Sequence, residues 1–148
     1  MLMPPTLRKL MLALHIAVSV GWLGAVAAYL VLDLTVTTNR DIATVQAALT
    51  GMQLLATYLI VPLALATLVT GVIQSLGTPW GLLRHWWVLI SLLLTLFATV
   101  VLLLQASHIS QGHLQGHTLL HSIGGLVVLL VITGLNVLKP LGRTQWDF

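Results

Sequence analysis

Four apolar stretches without a single charge decide what this chain can become: Leu10–Leu32, Leu54–Leu76, Trp86–Leu104 and Leu119–Leu138. Each is close to the ~20 residues that an α-helix needs to cross the hydrocarbon of a bilayer. With only 6% of its 148 residues charged and a mean hydropathy of +1.04, the chain carries more apolar surface than a soluble domain of this size could hide. The expectation is an all-α membrane protein of one domain, 1–148. Its architecture is a four-helix antiparallel transmembrane bundle, with helices near 7–32, 52–76, 79–107 and 113–138. The first span is too long for the apolar core of a cleavable signal and has no small-residue cleavage site after it, so it is expected to remain in the mature protein.

The few charges orient the bundle. Arg8 and Lys9 precede the first span, Arg84 lies between the second and third, and Lys139 and Arg143 follow the fourth, whereas Arg40 stands alone on the other side. The positive-inside rule then places both termini in the cytoplasm. The sequence pI near 10.0 reflects this orientation signal, because the basic residues never form a run suited to nucleic acid. No nucleic-acid partner is expected; the bilayer itself is the principal one.

The absence of cysteine excludes disulfides, thiolate metal sites and cysteine nucleophiles. There is no glutamate, no pair of nearby carboxylates, no Ser–His–Asp arrangement and no phosphate-binding glycine loop, so an enzyme is the least supported class. The chain also lacks the length and internal symmetry of a complete secondary transporter.

Local signals refine the spans. Thr6 is placed to cap the first helix, and Asn39 to Asp41 punctuate the first loop. Residues 41–50 read either as an interfacial turn or as an extension of the second helix, with Gly51 as a break, and Pro62 should kink that helix. Thr78 followed by Pro79 reads as a cap and first turn, which starts the third helix near Pro79 and puts His85 inside it. Counted from those caps, His15 and His85 lie at matching depths of roughly 10 to 14 Å from the cytoplasmic helix starts, at ~1.5 Å per residue.

Polar residues gather on stripes. In the first span His15, Ser19, Trp22, Val26, Tyr29 and Asp33 recur at alternating steps of four and three, a face expected to turn inward. The second span offers Gln53, Thr57, Ala64, Thr67, Gly71 and Gln74, and the third Arg84, Ser91, Thr95 and Thr99. Hydrogen-bonded helix packing accounts for Ser, Thr and Gln at such positions without any ligand. A separate stripe of Ala17, Gly21, Gly24, Ala25 and Ala28 suits close approach by a neighbouring helix or by a second copy or membrane partner, with Gly21, Gly24 and Ala28 as its contact points.

Histidine inside hydrocarbon is costly and marks a functional candidate. One reading makes His15 and His85 axial ligands of a b-type haem, with Arg84 neutralising a propionate; the alternative is that His15 bonds to a carbonyl or to Ser19 while His85 joins an aromatic belt with Trp80, Trp86 and Trp87. A second constellation, His108, His113, His117 and His121, surrounds the outer loop. Its spacing of four residues places imidazoles on one helical face where copper or zinc could bind, unless they are simply solvated.

At His15, Ser19, Gly21, Trp22, Leu23 and Gly24, and again along Gln74 to Trp87, the sequence resembles a family of small four-helix bacterial integral membrane proteins of the actinobacterial type. The pairing of His15 with Trp22, Leu23 and Gly24 is also similar to copper-resistance membrane domains of the D type. The first resemblance implies the fold and a place in the bacterial cytoplasmic membrane. It assigns no activity, and the family's outer hairpin lacks the His-rich pattern seen here. Three functions follow as expectations: a haem or transition-metal protein with a redox or electron-transfer role, copper or zinc handling at the outer face, or a non-catalytic membrane scaffold.

Overall fold

The computed structural model describes residues 3–78, 84–110 and 118–138. Helix α1 spans Pro5–Thr38, α2 Ile42–Leu55, α3 Val61–Leu76, α4 Trp86–Ser110 and α5 Thr118–Leu138, and no strand occurs among the described residues. A five-residue π turn, Ala56–Ile60, joins α2 to α3, so Ile42–Leu76 is one continuous rod. Four rods therefore result, each long and apolar enough to cross a membrane.

Helix α1 starts at Pro5, whose missing N–H and preset φ suit a first helical position, so Thr6 lies within the helix and caps nothing. It ends at Asn39, whose backbone N–H bonds to the Thr35 carbonyl at 3.0 Å. After this short connection Asp41 caps α2, its Oδ2 accepting from the Thr44 backbone N–H at 3.0 Å and from the Thr44 hydroxyl at 2.6 Å. Residues 42–50 are helical, and the chain runs through Gly51 without a break. Gly51 serves packing instead: a Cβ there would come 3.1 Å from Leu32 Cδ1.

Pro62 does not simply bend its helix. In a regular α-helix its ring would clash with the Tyr58 carbonyl, and the wider turn just before it relieves that conflict. The extra residue in that turn also resets the register. Buried positions run Ala48, Met52, Ala56, Ile60, Ala64 and Thr67, which leaves Gln53 and Thr57 outward and off the expected polar face.

Helix α1 packs against α2, the π turn, α3 and α5, and α4 closes against α3 and α5. Paired contacts between α1 and the second rod are Leu32 with Gly51, Leu63 with Gly21, and His15 with Gly71. The core at their centre is Trp22 and Ala25 of α1, Ile60, Ala64 of α3, and Leu129 and Ile132 of α5, flanked by Leu94, Ala98 and Leu102 of α4. Large apolar side chains such as Leu10, Ile42, Tyr58, Phe97 and Leu120 point away from it. That inverted exposure is what lipid as solvent requires; dispersion contacts and interhelical hydrogen bonds, more than hydrophobic expulsion, then hold the rods together.

The small-residue stripe divides in the structure. Ala25 is buried, while Ala17, Gly21, Gly24 and Ala28 stay exposed, with Leu63 at ordinary contact distance from Gly21.

Candidate functional site

The expected polar face of α1 is turned into the bundle: Trp22 and Asp33 are buried, and His15, Ser19, Val26 and Tyr29 are partly covered. Most hydroxyls near this face are satisfied by their own helices. Ser19 donates to the His15 carbonyl at 2.7 Å, Thr95 to Ser91 at 2.7 Å, Thr99 to Thr95 at 2.8 Å and Thr133 to Leu129 at 2.8 Å. Two further bonds cross between helices, at two of the ionisable residues of the face: His15 with Thr70, and Asp33 with Ser122.

His15 is seated by two features of α3. Gly71 admits the ring, for a Cβ there would stand 3.1 Å from His15 Cε1. Thr70 then holds it. With the Thr70 hydroxyl donating to the Ala66 carbonyl at 2.7 Å, its oxygen, 3.0 Å from His15 Nδ1, is free to accept from the Nδ1–H tautomer. In a neutral imidazole that leaves the lone pair on Nε2.

Around this ring lies a cavity of about 50 Å³, lined by His15, Ser19 and Trp22 of α1, Thr67 of α3, Thr95 of α4, and Leu129, Ile132, Thr133 and Asn136 of α5. Two of its buried polar atoms find no hydrogen-bond partner among the described residues: the indole Nε1–H of Trp22, whose residue is 3% exposed, and the hydroxyl of Thr67, 6% exposed. Buried polar atoms are rarely left so, and a small polar guest is the ordinary remedy. The volume suits one or a few waters, against the roughly 300 Å³ or more of an organic-ligand pocket.

His85 does not line this cavity. The α-helix begins at Trp86, so His85 stands just ahead of it, its carbonyl accepting from the N–H groups of Val88 and Leu89, each at 3.1 Å. The helix start near Pro79, from which the depth match with His15 is counted, lies among residues 79–83, outside the described residues. Thr78 is buried and its hydroxyl has no partner among the described residues; the first turn it was expected to cap, from Pro79, lies outside them. The His85 ring instead lies 6.3 Å from that of Trp87, tilted by 53°. Arg84 precedes it, half-buried.

Of the outer histidines, His121 is exposed in the first turn of α5 and His108 lies on α4, while His113 and His117 fall outside the described residues. Among the described residues no three His, Asp or Glu side chains converge as a metal site.

Asp33 is 0% exposed and accepts a 2.6 Å hydrogen bond from Ser122 Oγ of α5. Sequence periodicity placed Asp33 on the inward stripe. It did not single out Thr70, Ser122 or Asn136, although a lone Asn in the apolar run of α5 was a legible signal. Comparison with protein-family models, curated proteins and solved structures gives no match.

Proposed function

We propose that this is a proton-handling integral protein of the bacterial cytoplasmic membrane, four antiparallel spans with both termini inside, in which the His15 cavity loads and releases protons at the inner half. The paired contacts from Leu32–Gly51 through His15–Gly71, with Asp33 beside Ser122 and Ser19 near Asn136, support the up-and-down arrangement. The distribution of Arg8, Lys9 and Arg84 against Arg40 supports the orientation.

The observation that carries the reading is the pair of partnerless donors, Trp22 Nε1–H and the Thr67 hydroxyl, beside an imidazole with one nitrogen pinned. Water held by those donors would stand next to His15, whose imidazole can both accept and donate a proton. Thr70 fixes one nitrogen, and the other is left to take and give the proton.

Reconstituted protein should let protons cross vesicle membranes under an imposed potential, read with an internal pH-sensitive dye. His15→Leu should abolish that flux, and Thr70→Val should reduce it several-fold. Equal flux in wild type and His15→Leu overturns the proposal. A Soret band in the purified protein, weakened by both His15→Ala and His85→Ala, would replace it with haem ligation. Bound copper or zinc lost on replacing His108, His113, His117 and His121 would replace it with metal handling.

A further inference from the structure

A carboxyl group near the end of a membrane span has a cheap option, which is to reach the headgroup water. Asp33 stands at that border: it directly follows the uncharged run Leu10–Leu32 and lies five positions before Thr38, the last residue of α1. The fold refuses that option, since the side chain is turned between helices, 0% exposed, and met by Ser122 of α5. Burying an ionised carboxylate in an apolar bundle is expensive unless donors or cations answer it, and such residues mark proton or ion paths.

We infer that Asp33 and Ser122 form a second proton-binding site, at the outer end of the bundle. It stands on different residues from the His15 cavity and survives if that cavity carries no protons. A hydroxyl can answer both states of the carboxyl, donating when it is ionised and accepting when it is protonated, so one geometry serves before and after the proton arrives.

Among the described residues, Tyr29 stands one turn earlier on α1, His121 adjoins Ser122 on α5, and His108 lies near the outer end of α4, which packs against α5. Helix α2 carries no titratable residue between Ile42 and Leu55, nor does α3 between Val61 and Leu76, and Tyr58 of the π turn points away at 75% exposure. From His15 to Asp33 is about 27 Å along α1 at ~1.5 Å per residue, so the two sites load separately.

The test is pH-difference infrared spectroscopy on full-length protein in liposomes, reading the carbonyl stretch of a protonated carboxyl. The chain has three carboxylate side chains, Asp33, Asp41 and Asp147, so Asp41→Asn with Asp147→Asn and isotope-labelled aspartate leaves Asp33 as the sole labelled source. A labelled band that appears reversibly on acidification, disappears in Asp33→Asn and moves in frequency in Ser122→Ala is the expected result. No titrating labelled band overturns the site, as does a band indifferent to Ser122→Ala. Loss of the band on adding sodium chloride at constant pH would overturn proton binding in favour of a sodium site. The spectrum does not depend on transmembrane flux, so its outcome is separate from that of the vesicle assay.

Discussion

A single added methyl group at Gly71 should unseat His15. The ring sits where a Cβ would be 3.1 Å from Cε1, tighter than ordinary van der Waals contact, so the ring itself must give way. Gly71→Ala should therefore break the His15–Thr70 bond and destabilise the protein by about 1 kcal/mol, the scale of interhelical hydrogen bonds in membranes. The check is a double-mutant cycle from thermal unfolding in detergent: the cost of Gly71→Ala should shrink markedly in a His15→Ala background. An undiminished cost would mean that the glycine matters for some other contact. Gly51 offers a contrast, since its neighbour Leu32 can rotate away and Gly51→Ala should be milder.

At the scale of elements, the start of the second rod depends on one exposed cap. Hydrogen bonds from the Thr44 hydroxyl and then the Thr44 backbone N–H hold the Asp41 carboxyl below its ordinary range. A depressed carboxyl contributes stability that is fully present above its unfolded value and is lost as pH falls through its folded one. Hydrogen exchange at the Ala43 to Val45 amides should thus accelerate, relative to the intrinsic rate, as the medium is acidified through and below the usual carboxylate range. In Asp41→Asn the same amides should show no such pH dependence. The π turn is the other element that matters, because the residue it adds beside Pro62 sets which side of the rod above it faces inward.

For the whole molecule, orientation is open to a direct measurement, since the natural chain contains no cysteine. Single cysteines at Thr38 and at Leu7 should react with a membrane-impermeant maleimide from opposite sides of intact cells, Thr38→Cys from outside and Leu7→Cys only after lysis. Labelling of both from one side would refute the proposed topology. Helix α1, at about 51 Å for its 34 residues, exceeds the ~30 Å hydrocarbon core, so both positions should stand clear of the acyl chains.

Hydrophobicity and charge placement are properties of residue types summed over a span, so four apolar rods and the inward polar stripe of α1 were legible in the sequence. Helix starts were less so, because a cap such as Thr6 competes with proline geometry and with packing that no local motif records. The pairing of His15 with Thr70 and of Asp33 with Ser122 joins residues 55 and 89 positions apart. Such contacts arise only when neighbouring rods settle in register, which here depends on glycine seats, one widened turn and the depth to which each side chain can sink. Tertiary packing alone therefore gave His15 its partner on α3 and Asp33 its partner on α5.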